Sequence, residues 1–148
     1  MDGKIDLVEI TAASGDAGTV WLQRAERIHR QLRPHLPADY AGKMRRVLAD
    51  ARMALAVEGE TVLGLSVYRS HENTFDGVKF YVDDLVTDES RRSQGVGKRL
   101  IAHLEERARK AGANGMVLDS GTHRTQAHRF YFREGFVITS FNFKKTLL

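Results

Sequence analysis

The chain has 148 residues, enough for one domain with a real core, and its +4 net charge comes from interspersed Lys/Arg and Asp/Glu. With no cysteine, only two prolines and 42% apolar residues, it excludes disulfides, thiolate metal sites, a cysteine nucleophile and disorder, and fits a reducing, cytoplasmic setting. No apolar run is long enough for a membrane span, and MDGKIDLVEI lacks a signal-peptide core.

In chain order, residues 4–11 alternate as a first strand with one phase slip, and a small, flexible connection follows at 12–18. Trp21, Leu22, Ala25, Ile28 and Leu32 recur at helical spacing up to Pro34. Tyr40, Met44, Val47, Leu48 and Ala51 predict a second, basic helix, with Pro37 and Asp39 at its start. Met53, Leu55 and Val57, then Leu63, Leu65 and Val67, read as a hairpin turning at residues 58–60. Gly64 inside the second strand predicts a bulge or a close backbone approach. Residues 70–78 read as a loop and 79–87 as a longer, central strand.

Val96, Leu100, Ile101, Leu104 and Ala108 form the apolar stripe of the strongest helix, closed by Lys110 and Gly112. A short buried strand is expected at 115–120, a helix at 125–134 ending at Gly135, and two final strands at 136–139 and 142–147. This alternation predicts an α/β (α+β) chain with a mixed sheet and helices on both faces, in a single domain over residues 1–148.

The most informative stretch is Arg92-Ser93-Gln94-Gly95-Val96-Gly97-Lys98, between a strand and the strongest helix. Two glycines two apart admit a ligand close to the backbone. The helix start offers unpaired N–H groups and a positive dipole end, and Arg91, Arg92, Lys98 and Arg99 add charge. These features suit a pyrophosphate cradle, while a helix start with a solvated basic face is the simpler reading of a lone GxG. It is neither GxxxxGK[ST] nor GxGxxG, since Arg99 and Leu100 stand where a third glycine is needed.

Arg-x-x-Gly-x-Gly after a strand resembles the acyl-CoA signature of the GCN5-related N-acetyltransferase superfamily. DLVTDESRRSQGVGKRLIAHLEERARKAG, AHRFYFREGF and FNFKKTL resemble its fourth strand and third helix, its later helix and its last strand. The likeness is good from Leu63 onward and holds only in outline over residues 5–52. It implies a mixed, mostly antiparallel sheet of about six to seven strands with four helices on both faces. It also implies acetyl-CoA as cosubstrate, its pyrophosphate on the amides of 94–98 and its pantetheine arm paired to the backbone of Leu85, Val86 and Thr87 beside a bulge. Arg124 replaces an Asn that many members use toward the cofactor arm.

Acetyl transfer to an amine needs a neutral amine, a donor to the oxyanion and a proton for the departing thiolate. Tyr131 matches the family's general acid; read alone, it is as well explained as a core residue beside Phe130. Alternation should place Asp83 and Asp84 on opposite faces, a mid-strand carboxylate needs a cleft or a partner, and the resemblance implies that the face Asp83 shares with Tyr81, Leu85 and Thr87 is the substrate side, so Asp83 is the first candidate base. Asp119 comes second and His123 third; a water chain without a single base is a further option. For either Asp, an ion pair with a nearby Arg is the simpler structural reading.

The resemblance implies an N-acetyltransferase acting on a primary amine of a small molecule or a protein, with a homodimer formed through the last strands. An idle acyl-CoA-binding regulatory domain is the alternative. A nucleic-acid module, suggested by the basic residues within 24–33 and 43–52, is disfavoured because those charges spread around their helices. Trp21, Tyr40, His71 and Tyr81 are candidates for the acceptor pocket or for packing. The six histidines show no metal-ligand spacing, so no metal is expected.

Overall fold

The structure is a computed structural model that describes residues 3–148. Its elements run β1 (Asp6–Ile10), α1 (Gly15–Leu32), α2 (Tyr40–Val47), β2 (Arg52–Glu58), β3 (Thr61–Asn73), β4 (Gly77–Thr87), α3 (Val96–Lys110), β5 (Met116–Leu118) and α4 (Thr125–Arg133). They fall into two compact units, Met1–Val117 and Leu118–Leu148.

The strands of the sheet are ordered β1-β2-β3-β4-β5. The first four pair antiparallel. α3 carries the chain from β4 across to β5, the crossover that parallel neighbours require, so the sheet is mixed. β3 is therefore the central strand, and β4 lies next to it. The loop expected at 70–78 shrinks to a tight turn, because β3 and β4 keep pairing through His71↔Lys79 out to Asn73↔Gly77. The Asn73 side chain closes that turn by accepting the Phe75 and Asp76 amides.

α1 and α2 cover one face. Leu22, Ala25 and Ile28 of α1 join Tyr40 and Met44 of α2 over Ile10, Met53, Leu55, Leu65 and Val67. Asp39 caps α2 by accepting the Gly42 amide, as its position predicts. The helix before it starts at Gly15, inside the stretch expected to be flexible.

α3 covers the opposite face with Leu100 and Leu104, each fully buried and worth about 2 kcal/mol in removed apolar surface. Gly64 makes this approach possible. A Cβ there would lie 2.9 Å from the Val86 carbonyl oxygen and 2.9 Å from Val96 Cγ1. The register of β2 against β3 also slips beside Gly64, leaving Leu63 as an extra residue. Both expectations for this glycine hold.

In the second unit, α4 ends at Gly135 in the left-handed conformation, as expected. The two strands expected at 136–139 and 142–147 do not form, so the sheet has five strands rather than six to seven. Phe141, Phe143 and Leu147 are exposed: the alternating pattern is present, but among the described residues no strand hydrogen-bonds to it. No helix among the described residues is long and apolar enough to cross a membrane.

Candidate functional site

The junction between β4 and α3 is built from several independent constraints. At the end of β4, the Asp88 amide donates to the Leu63 carbonyl at 2.8 Å. The buried Asp88 carboxylate accepts Arg27 Nη2 at 2.8 Å, Gln31 Nε2 at 3.2 Å and the Ser90 amide at 3.2 Å. Gln31 Oε1 in turn accepts the Glu89 amide at 2.9 Å. The Arg27 hydrogen bond, against the opposing effect of burial and aided by Gln31 and the Ser90 amide, draws the Asp88 carboxyl down to about 2. These bonds staple a short 3-10 turn (Glu89–Arg91) to α1 and β3 just before the glycine-containing loop.

In that loop Arg92 is extended, Ser93 is left-handed at φ 64° and Gly95 is left-handed at φ 83°. Ser93 is the sole non-glycine residue with positive φ among the described residues. Such alternation turns backbone N–H groups into a concave nest. α3 begins at once, and its first internal hydrogen bond runs from the Arg99 amide to the Gly95 carbonyl at 3.0 Å. The amides of Val96, Gly97 and Lys98 thus have no intrahelical acceptor, and no side chain caps the helix. Gln94, Gly95 and Lys98 are exposed, and a Cβ built on Gly95 meets nothing within 4 Å. An open ring of oriented donors at a positive dipole end, with Arg92 and Lys98 exposed beside it, is suited to a pyrophosphate.

β4 supplies the second part. Its pairing runs Tyr68↔Val82 and then Val67↔Asp84, which leaves Asp83 as a bulged extra residue. Beyond the bulge, Ser66↔Leu85, Leu65↔Val86 and Gly64↔Thr87 restore the ladder to β3. On the other side, Gly115 and Val117 stand beside Val78 and Phe80 around a small cavity of about 70 Å3. A three-residue strand starting there ends well short of Leu85, so β5 leaves the outer edge of Leu85, Val86 and Thr87 open. A ligand with amide groups can pair along such an edge.

The bulge corrects the expectation that Asp83 and Asp84 simply face opposite ways, since regular alternation does not cross it. Asp83 accepts Arg69 Nε at 2.8 Å, and Arg69 Nη1 also reaches Asp50 at 3.1 Å. Asp83 therefore has the arginine partner that the simpler reading named. Asp84 accepts Arg33 Nη2 at 2.7 Å and His29 Nε2 at 2.7 Å, and His29 Nδ1 lies 2.8 Å from the Tyr40 hydroxyl. Burial alone would raise the Asp84 carboxyl, but the bonds from His29 and Arg33 outweigh it and the group is lowered.

Arg69 and Asp50 also line an open cleft of about 610 Å3 with Arg52, Tyr68, Arg107 and Lys110. Beside it, the Tyr68 hydroxyl donates to Glu9, whose carboxylate also binds His103. Among the described residues, no group of three or more His, Asp or Glu side chains is arranged to hold a metal.

The first unit thus brings together Asp83, the open edge at Leu85, Val86 and Thr87, and the cradle at residues 92–98. Asp119, His123 and Tyr131 belong to the second unit. There Tyr131 is buried between Phe130 and Phe136, with ring centroids 5.6 Å away in each case. Burial raises its hydroxyl above the usual phenol value, with Arg124 opposing, so it stays protonated at neutral pH. Asn142 Nδ2 donates to Asp119 at 3.3 Å, and His123 is exposed. Tyr40 is a packing residue, 2% exposed and bonded to His29. Trp21 stacks under Arg24, Tyr81 under Lys79, and His71 is exposed on the β3–β4 hairpin.

The sequence reading missed His29, Arg33, Arg69 and Asp88. One signal was present: His29 falls four residues after Ala25, inside the apolar stripe of α1, where an imidazole needs a buried partner.

The chain is 44% identical over 70 residues to an uncharacterized N-acetyltransferase, YhdJ, of Bacillus subtilis, covering 47% of this chain and 49% of that protein. It is 42% identical over 66 residues to an aminoalkylphosphonate N-acetyltransferase of Salmonella typhimurium, covering 45% and 43% respectively. The matched region spans about half the length of these curated relatives or less. The crystal structure of the aminoglycoside N-acetyltransferase AAC(6')-Iy in complex with CoA superposes with a TM-score of 0.84 at 17% identity, over 99% of this chain and 97% of that one, a likeness of fold. The description "Acetyltransferase (GNAT) family" matches residues 19–136, across both compact units, and the chain belongs to that family.

Proposed function

We propose that this chain is an N-acetyltransferase that moves an acetyl group from acetyl-CoA to a primary amine by direct attack in a ternary complex. The observation that carries the reading is the uncapped, left-handed amide cradle at Gly95–Lys98, adjoining an open strand edge at Leu85–Thr87. The pyrophosphate takes the amides of Val96, Gly97 and Lys98, with Arg92, Ser93 and Gln94 around it. The pantetheine arm lies along Leu85, Val86 and Thr87. The family match over residues 19–136 supports the reading of residues 1–148 as a single acetyltransferase domain.

The amine nitrogen attacks the thioester carbon as a base removes its proton. The C–S bond then breaks, and the thiolate takes the proton of Tyr131, which solvent later restores. Tyr131 suits this role because burial raises its hydroxyl above the usual phenol value, so it carries a proton to donate at neutral pH. Asp83 is the first choice as base, since it stands at the bulge beside the open edge, and Asp119 is the second.

A small-molecule amine is favoured over a protein amine by the name of one curated relative, an aminoalkylphosphonate N-acetyltransferase. A cytoplasmic location is supported by the cysteine-free sequence. A homodimer through residues 138–148 is supported by the exposed Phe141, Phe143 and Leu147. Light scattering should then report twice the 16.7 kDa monomer mass.

The test of the activity is acetyl-CoA turnover against a broad amine panel, with thiol release and N-acetyl product both measured. Stoichiometric thiol and product establish the enzyme. Tight CoA binding with no product on any amine favours the idle acyl-CoA-binding alternative.

A further inference from the structure

Arg33, just past the last turn of α1, meets β4 where its pairing is irregular. Its Nη2 donates to the carbonyl of Asp83, the bulged residue, at 3.1 Å, and to Asp84 Oδ1 at 2.7 Å. Its Nε donates to the same carboxylate oxygen at 2.9 Å. The second oxygen of Asp84 is held by His29 Nε2, whose other ring nitrogen faces the Tyr40 hydroxyl. His29 and Tyr40 are each 2% exposed. One imidazole ring thus bridges the Tyr40 hydroxyl and the Asp84 carboxylate, with Nε2–H donating to Asp84.

A buried carboxylate in mid-strand is costly, and a well-packed apolar residue there would often stabilise the fold as well or better. What the ionic set adds is position. Backbone N–H groups along an antiparallel strand point alternately toward each neighbour. The residue that carries the bulge therefore decides which amides beyond it face β3 and which face the open edge. A one-residue slip would exchange them.

We propose that Arg33 and Asp84, backed by His29 and Tyr40, are positioning residues for acyl-CoA. They pin the β4 bulge at Asp83 and so fix which amides of Leu85, Val86 and Thr87 the open edge presents. This inference rests on the acetyl-CoA reading above.

Arg33→Gln removes the clamp on both Asp83 and Asp84, at a side chain that is 42% exposed, so the fold should survive. Arg33→Lys keeps the charge and a donor. Arg24→Gln is the control for a purely structural loss. Arg24, also on α1, lies over the Trp21 ring and pairs with Glu60 instead.

Two readouts are needed: amide hydrogen exchange of residues 85–87 without ligand, and CoA affinity by calorimetry with acetyl-CoA KM alongside. Arg33→Gln should change the exchange pattern and weaken CoA about ten- to a hundredfold, raising KM more than it lowers kcat. Arg33→Lys should recover most of the loss, and Arg24→Gln should lower Tm while leaving affinity unchanged. A folded Arg33→Gln with wild-type exchange and affinity would overturn the inference, as would equal loss of affinity in Arg24→Gln. A wild-type chain that does not bind CoA would overturn the acetyl-CoA reading itself, and with it this inference, by a result visible before any variant is made.

Discussion

Replacing Gly95 by valine perturbs the cradle at its hinge. Gly95 sits at φ 83°, where an L-residue costs about 1–2 kcal/mol and a β-branched one the upper end of that range. Apart from its chain neighbours, no described residue lies within 4 Å of the added Cβ, so steric overlap adds little and the fold should persist. The strained residue relaxes by rotating its own amides, which lie next to the donors of Val96–Lys98. Each lost hydrogen bond from an amide to a charged phosphate is worth about 1.5–3 kcal/mol, so losing one weakens CoA by about ten- to a hundredfold. Gly112 is the matched control: it has φ 82°, follows the other end of α3 and has equal space around its Cβ. Gly112→Val should lose similar stability in a urea titration yet bind CoA normally in calorimetry. A folded Gly95→Val with undiminished affinity would remove the cradle from the account.

Three further outcomes are expected. Asp88 has its carboxyl lowered from 3.8 to about 2, so it stabilises the folded chain fully above about pH 4, and that contribution is lost as pH falls toward 2. After allowance for the exposure of Arg27 it is about 1–2 kcal/mol, and Asp88→Asn should flatten the acid side of the pH–stability curve by that amount. Gly64→Ala drives a Cβ against the Val86 carbonyl oxygen and should destabilise by about 1–3 kcal/mol in urea unfolding; an unchanged midpoint would contradict the close approach of α3. Tyr131→Phe should keep Tm and CoA affinity while lowering kcat by about ten- to a thousandfold, and wild-type kcat would return Tyr131 to packing.

Features coded within one element were legible in the sequence. The stripe of α3, its start at Gly95 and its end at Gly112 follow from local spacing and from the need for positive φ. Gly64 was legible for a similar reason, since a glycine inside an apolar strand marks a close approach or a bulge. The Asp83 bulge was not legible from spacing. A bulge is a relation between two strands, and the alternation of YVDDLV looks continuous on its own. The clamp from His29 and Arg33 to Asp84 joins residues 55 and 51 positions apart, which no local pattern encodes. The last two strands fail for the converse reason. Phe141 and Phe143 alternate as a strand should, but alternation supplies only a face, and a strand also needs a neighbour for its hydrogen bonds.

The central claim, that the amides opening α3 hold the pyrophosphate of acyl-CoA, is tested most directly by a backbone amide NMR titration of the wild-type chain with CoA. The account predicts saturable shifts largest at Gly95, Val96, Gly97 and Lys98, with a second set at Leu85, Val86 and Thr87. Competition by a CoA fragment that carries the pyrophosphate but no pantetheine should reproduce the first set alone. Saturable binding that leaves Gly95–Lys98 unshifted would contradict it.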